Sequence, residues 1–339
     1  MTKVTFDSQI GYFLGIQFEC HRSTDGDVTI SMGQEAFADK ILHEYKMEGA
    51  DIHIPHSPYR SGHPVDSIET HEYDPVKQAS LTNQLQSILG SLQWLATCTR
   101  PDLSTITNML AKYQANPSQG HIDAAKHVLR YVKGTKSMGI TFSSKDNDKL
   151  QSFVKFPIPA SQITALTDAN WGPQDASIPK PGLPPVELDL FKSRSVSGYV
   201  IWLGGPMHWV SKRQTITARS SAESEIYATD ECVKQLQQLT HIIEELNVGD
   251  IVMPNPTPVY NDNAACIKWS HSLTTKGLRH LQMRENAVRE QILAKNITLE
   301  HIAGAVNLAD MFTKEDKDVA HFVLICNILM RPPDDQHLI

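Results

Sequence analysis

The sequence predicts an α/β fold in two parts, a small α+β region over 1–150 followed by an α/β domain over 160–330 in which strands alternate with helices. Three observations lead there. Apolar residues alternate with period two near the start, and short strand-like runs return at 163–167, 196–203, 207–211 and 258–261. Between these runs the apolar residues recur at helical spacing. The charged, apolar-poor run Lys145-Asp-Asn-Asp-Lys149 interrupts both patterns and marks the boundary. With 339 residues, 40% of them hydrophobic, the chain can bury cores for two domains of common size.

The elements follow in order. Tyr12, Leu14, Ile16 and Phe18 alternate with Gly15, Gln17 and Glu19, and Val28, Ile30 and Met32 alternate after Asp25-Gly26, which reads as a β-hairpin. Phe37, Ala38, Ile41, Leu42 and Tyr45 make a helix, broken by the His- and Pro-containing stretch from Ile52 to Pro64. From Leu85 to Lys133 the pattern is helical, with the stripe Ile122, Ala125, Leu129 and Val132, a break near Asn116-Pro117 and an end at Gly134. The second part begins with a strand at Ile163–Thr167, and Pro173–Pro185 is too proline-rich for anything but an exposed loop. Two strands and a long helix come next, then a strand at Pro258–Asn261, helices, another strand and a last helix. Trp94, Trp202, Trp209 and Trp269 fall in apolar periodicities and read as core, whereas Trp171 follows Asp168 closely.

Bulk properties narrow the function. Five cysteines, at 20, 98, 232, 266 and 326, form no CxxC pair and suit neither a disulfide framework nor a zinc site, which points to a reducing, intracellular setting, cytoplasmic or nuclear. No signal-peptide pattern opens the chain and no run of about 18 uncharged apolar residues occurs, so no membrane partner is expected. A net charge of −7 argues against broad adhesion to nucleic acid, because that affinity comes from cations displacing counterions at phosphates. Any such contact has to rely on a local patch or on bound metal.

Four acids stand at element ends: Asp168, Glu225, Asp262 and Asp310. Carboxylates are the ligands magnesium and manganese prefer, whereas zinc would call for histidine or cysteine. Four converging acids suffice to hold two Mg ions, with Mn as a substitute, for phosphodiester cleavage. Asp168 ends a strand, where a turn-forming role is equally open. Glu225 lies beside the inward stripe Ala222, Ile226, Thr229, Val233, Leu236, Thr240 and Ile243, whereas Glu223 projects away and reads as a solvated or supporting acid. Asp262 fits a helix N-cap as well as a metal ligand, and Asp310, three residues after Asn307, fits a capping-box-like start to the final helix.

The motifs Thr167-Asp-Ala-Asn-Trp-Gly172, Ser195-Val-Ser-Gly-Tyr199, Lys212-Arg-Gln214, Ser220-Ser-Ala-Glu-Ser-Glu225, Asp262-Asn263 and Ala309-Asp-Met-Phe-Thr-Lys314 together resemble the ribonuclease H domain of copia-type retrotransposon polyproteins. Tyr12-Phe-Leu-Gly-Ile16, Leu89-Gly-Ser-Leu-Gln-Trp-Leu95, Thr99-Arg-Pro-Asp102 and Leu129-Arg-Tyr-Val-Lys-Gly-Thr135 resemble the segment after the reverse-transcriptase palm in the same polyproteins. The resemblance implies a ribonuclease H-like mixed five-stranded sheet with flanking helices, preceded by a small α+β thumb/connection-like domain. It implies hydrolysis of the RNA strand of an RNA:DNA hybrid, leaving a 5'-phosphate and a 3'-hydroxyl. Asp168, Glu225, Asp262 and Asp310 match the family's catalytic, metal-binding acids. Glu225-Ile-Tyr-Ala228 also fits that family's motif around its glutamate.

Three departures qualify these expectations. The polymerase's paired aspartates are missing, and Asp334-Asp335 beside Pro332-Pro333 is no substitute, so polymerisation is not expected without the upstream fingers/palm segment, which is an implied partner. Asn170 stands where many relatives carry an aspartate, and Ala303-Gly-Ala-Val-Asn307 has no histidine where many cellular ribonucleases H carry one. For substrate contacts, Gln214, Ser220, Ser221, Asn261 and Asn263 suit the 2'-hydroxyls and backbone of a hybrid. Lys192, Arg194, Lys212, Arg213 and Arg219 either meet phosphates or form a solvated strand edge. Arg279, His280 and Arg284 resemble a basic family motif or form a polar helix face. The alternative to an enzyme is a remnant that keeps the fold as a binding or scaffolding module.

Overall fold

The computed structural model describes residues 11–49, 51–60, 65, 75–172, 194–246, 256–271, 282–315 and 318–331. The Pro173–Pro185 stretch, Lys192, Arg279, His280, the Arg284 side chain and Asp334-Asp335 lie outside the described residues. The chain divides into two compact units, one of Met1–Lys149 with Gly204–Pro206 and Glu315–Ile339, the other of Leu150–Leu203 with Met207–Lys314.

The first unit opens with β1 (Gly11–Phe13), β2 (Ile16–Arg22) and β3 (Val28–Gly33). The expected first strand therefore breaks in two. Leu14 and Gly15 both adopt positive φ, 51° and 82°, the backbone of a tight two-residue hairpin turn that glycine readily accepts. Helix α1 (Glu35–Glu44) buries Ala38, Ile41 and Leu42, as the apolar spacing dictates. Next come α2 (Pro75–Cys98), α3 (Ser104–Ala111) and α4 (Gln119–Gly134). The break at Asn116-Pro117 has a local cause: Ser118 caps α4, and the ring Nδ1 of His121 accepts in return from the Ser118 amide at 3.0 Å. Trp94, expected in the core, is 38% exposed on α2.

The sequence patterns did not reveal β4 (Gly139–Ser143), which pairs antiparallel with β3. Gly139 makes that pairing possible, because a Cβ there would run into the carbonyl oxygen of Met32. A short helix α5 (Asp148–Val154) occupies the charged boundary.

The second unit holds β5 (Thr164–Asn170), β6 (Val196–Trp202), β7 (Pro206–Arg213), α6 (Ser221–Glu245), β8 (Thr257–Asn261), α7 (Ala264–Ser270), α8 (Gln282–Leu293) and β9 (Ile297–His301). Its five-stranded sheet runs β7-β6-β5-β8-β9, antiparallel between β5 and β6 and parallel from β5 to β8 and from β8 to β9. This is the mixed five-stranded sheet with flanking helices of a ribonuclease H-like fold. One core of Ala165, Tyr199, Ile201, Ile226, Val233, Val259 and Leu299 joins sheet and helices. Trp202 is fully buried and Trp269 packs partly against this core, while the Arg289 guanidinium lies 4.6 Å from the Trp269 ring centroid.

The chain then returns to the first unit through α9 (Val319–Leu329) and β10 (Met330–Arg331), which extends the first sheet to β1-β2-β3-β4-β10. The sequence reading carried the second domain to 330. The last helix instead buries Phe322, whose ring meets Tyr59 at 5.8 Å and Tyr131 at 6.2 Å between centroids. Nothing in a helical apolar pattern says which of two cores will receive it.

At the centre of the first unit lies a fully buried polar knot. Arg100 grips Asp102 with two bonds, Nε to Oδ1 at 3.0 Å and Nη2 to Oδ2 at 2.7 Å, and reaches Thr135 through its carbonyl and hydroxyl at 2.8 and 2.7 Å. Tyr131 donates to Asp102 Oδ2 at 2.8 Å. Removing one partner of such a pair leaves a buried charge unmatched. Arg100→Ala is expected to lower unfolding free energy by about 3–5 kcal/mol in urea titration of the full chain; a loss below about 1 kcal/mol would show that the knot does not hold this unit together.

Candidate metal centre

Asp168 sits near the end of β5, where the side chain is almost fully buried. It is paired across the sheet with Gly198 on β6. A Cβ on Gly198 would come within 2.5 Å of Thr313 Cγ2 and 2.8 Å of Phe312 Cβ, so only glycine lets the following turn press against this point of the sheet. That turn is a short 3₁₀ helix, Leu308–Phe312, and just beyond it the Thr313 hydroxyl donates to Asp168 Oδ2. Asn170 supports the same segment from β5, its amide donating to the Thr313 carbonyl at 3.4 Å.

Glu225 comes from the first turns of α6. Ser220 caps that helix, accepting from the Glu223 amide at 3.2 Å, while Glu223 Oε2 accepts from the Arg219 amide at 2.7 Å. Glu223 is therefore a buried supporting acid at the helix start rather than a solvated one, and the Ser-x-x-Glu spacing of Ser220 and Glu223 was the signal for it. Glu225 is free of such duty. Its Oε2 accepts from Asn261 Nδ2 at 3.0 Å, and the same Asn261 nitrogen donates to Thr167 Oγ1 at 3.0 Å.

Asp262 follows β8 directly. The helix behind it is capped by Asn263, whose Oδ1 accepts from Ala265 and Cys266 at 2.9 and 3.0 Å. The capping alternative for Asp262 is thus taken by its neighbour. Gly304 leaves room for the carboxylate, since a Cβ there would stand 2.9 Å from Asp262 Oδ2. His301 at the end of β9 bonds the Asp262 carbonyl through Nε2 at 3.1 Å.

Asp168, Glu225 and Asp262 each offer an oxygen within 4.8 Å of the others. Asp310 is not part of that tight group. It lies in the 3₁₀ turn, and the cap there is Asn307, which accepts from Ala309 at 3.1 Å; the last helix starts later, behind Asp318. Lys314 links Asp310 to the others, its Nζ 3.0 Å from Asp310 Oδ1 and 3.5 Å from Asp168 Oδ2. Thr313 and Lys314 were visible as motif residues, but no pattern in the sequence assigned them a contact.

The electrostatics follow from the packing. Burial, then the neighbouring Asp168, pushes Glu225 up to about 9, with Asn261 opposing. Burial and then Asp168 also raise Asp262, and they push Asp310 up to about 6 against the pull of Lys314. Burial works against the Lys314 ammonium, but Asp168 and Asp310 outweigh it and raise its pKa. Three carboxylates so placed fit a hard divalent cation: all donors are oxygen, they span little more than the roughly 4 Å that separates opposed ligands of such an ion, and their repulsion needs a positive charge.

The residues expected to touch substrate mostly serve the fold. Gln214 is buried and donates to Ser197 Oγ at 3.0 Å and to the Ser224 carbonyl at 2.8 Å. Ser220 and Asn263 are caps and Asn261 holds Glu225, which leaves Ser221 exposed at the helix start. Lys212 is exposed on β7, 4.0 Å from Glu231. Trp171 is 41% exposed, and its Nε1 donates to the Ala218 carbonyl at 3.2 Å.

No family model matches the chain. Over 255 residues it is 30% identical to the retrovirus-related Pol polyprotein from transposon RE2 of Arabidopsis thaliana, an alignment that covers 74% of this chain. The chain belongs to the Pol polyproteins of copia-type retrotransposons. It spans 15% of the RE2 polyprotein's length. It is also 30% identical over 221 residues to the uncharacterized mitochondrial protein AtMg00810 of Arabidopsis thaliana, covering 65% of this chain and 74% of that protein. Among solved structures, LC11-RNase H1 matches 45% of this chain and 93% of its own at 17% identity and a TM-score of 0.32. The sheet order and strand directions, within this copia-type Pol segment, define a retroelement ribonuclease H-like domain in the second unit.

The raised acids set a pH dependence. An acid whose pKa is higher folded than unfolded binds its proton more tightly in the native state, so stability falls as pH rises from the unfolded towards the folded value. For Glu225 that window runs from 4.5 to about 9. In chelator, the melting temperature of the chain is expected to fall steadily across it, and Glu225→Gln to flatten the slope; a wild-type profile no steeper than the variant's would contradict this.

Proposed function

We propose that the second unit is a ribonuclease H that hydrolyses the RNA strand of RNA:DNA hybrids by two-metal-ion catalysis, as part of reverse transcription inside the cell. The observation that carries the reading is the convergence of Asp168, Glu225 and Asp262 within 4.8 Å, on a sheet of ribonuclease H-like order. Capping explains neither Glu225 nor Asp262, and burying carboxylates together without a cation is unfavourable.

In this reading Asp168, Glu225 and Asp262 would hold one divalent cation, and Asp310 together with Asp168 would hold a second. Magnesium is the expected ion, with manganese able to replace it. When bound, the cations supply an activated water and Lewis-acid stabilisation of the leaving oxygen. The chain's own part is preorganisation. Asn261 fixes the Glu225 carboxylate, the Thr313 hydroxyl fixes that of Asp168, and Asn307 Nδ2 ties the Thr167 carbonyl at 2.9 Å, locking the 3₁₀ turn to β5. Choice of a hybrid over duplex DNA rests on groove shape and 2'-hydroxyls, for which Ser221 is the exposed candidate beside Glu225. Among the described residues no helix is long and apolar enough to cross a membrane. The first unit serves as thumb and connection for an upstream fingers/palm segment, without which the chain does not polymerise DNA.

The test is cleavage of a labelled RNA:DNA hybrid by the purified chain with magnesium, manganese or chelator, against duplex DNA and single-stranded RNA. Metal-dependent cutting of the hybrid's RNA alone is expected. Asp262→Asn, which keeps the volume and removes the charge, is expected to cut activity by at least about a hundredfold with the circular dichroism spectrum unchanged. Retained activity in that variant would remove Asp262 from the site.

A further inference from the structure

The contacts of Lys314 divide the four acids. Three present oxygens within 4.8 Å of one another, whereas Asp310 Oδ1 faces the Lys314 ammonium at 3.0 Å. That ammonium also stands 3.5 Å from Asp168 Oδ2, so it bridges the two acids that a second cation would need. The bridge is built into the chain. The Asp310 carbonyl accepts from the Thr313 and Lys314 amides, both at 3.1 Å, closing the backbone into a turn that brings position 314 back over Asp310. The Thr313 hydroxyl, bonded to Asp168, anchors that turn on the sheet.

Exposure gives the bridge a direction. The Lys314 side chain is 44% exposed while that of Asp168 is 2% exposed, so the ammonium enters from the solvent side on a flexible four-carbon stem. It can swing back into water, and doing so leaves the buried Asp168 carboxylate open to another cation. A divalent cation brings twice the charge to the same oxygens and is the natural competitor for the position.

We propose that Lys314 is an internal cation that occupies the position between Asp168 and Asp310 and must be displaced before a second metal ion binds there. The inference rests on the metal-centre reading above. It makes the two ions unequal: the Asp168, Glu225 and Asp262 group takes its ion at low concentration, and the guarded position fills only at higher concentration. Lys314 is thus a positioning residue that sets the metal requirement.

Calorimetric titration of the full chain with manganese separates the possibilities, with melting temperatures recorded in chelator and in manganese. Wild type is expected to bind one ion tightly and a second weakly. Lys314→Met, which keeps the stem and removes the charge, is expected to tighten the second site about tenfold, lower the melting temperature in chelator and enlarge the rise that manganese produces. Lys314→Arg is expected to keep the wild-type pattern. A lysine that merely braces the turn would lower both melting temperatures and leave the isotherm alone; that result, or weaker binding by Lys314→Met, overturns the proposal. If wild type binds no manganese and Asp262→Asn gives the same flat isotherm, the metal-centre reading falls and takes this proposal with it.

Discussion

Repulsion among carboxylates gathered around Asp168 is the constraint on which the second unit is organised. Glu225, Asp262 and Asp310 are all pushed upward by burial and by that one charge. An isolated cluster of this kind would open or lose its charge to protons. The surrounding structure keeps it together: Asn261 donates to Glu225, Thr313 to Asp168, and Lys314 spans Asp168 and Asp310. Each of these donors is itself held by backbone that has little freedom.

That backbone depends on close approach. Gly198, opposite Asp168, lets Phe312 and Thr313 lie against the sheet, and Gly304 leaves space for the Asp262 carboxylate. The parallel pairing of β8 with β5 sets Asn261 beside Thr167, one residue from each of Asp168 and Asp262. Side chains that look like surface polar residues in the sequence, Asn261, Asn307 and Gln214, are therefore internal struts. A site of this type needs its supporting bonds as much as its ligands.

Much of this was legible beforehand, for physical reasons. Strands and helices of the second unit announced themselves because burying one face of an element imposes a period on its sequence. Glu225 was separable from Glu223 because a helix turns about 100° per residue, so the two carboxylates leave the helix in different directions. The errors have causes too. Leu14-Gly15 turned out to be a turn because alternation says nothing about φ. Of the two roles open to Glu223, solvated or supporting, the structure takes the second, because its bond to the Arg219 amide rather than its facing buries it. β4 and the return of α9 to the first unit went unseen because they rest on pairings more than a hundred residues apart.

By itself, then, the sequence determined most strands and helices of the second unit, that four acids stand at their ends, and that their oxygen donors suit a hard cation. Those properties are local, set by period, propensity and ligand chemistry. Only the tertiary structure decided that three of the acids converge while the fourth is joined to Asp168 through Lys314, and that Asn263, not Asp262, caps the following helix. Distances of 3 to 5 Å between segments as far apart as 168 and 314 arise from sheet order and from two glycines that permit close packing, and no local pattern encodes them.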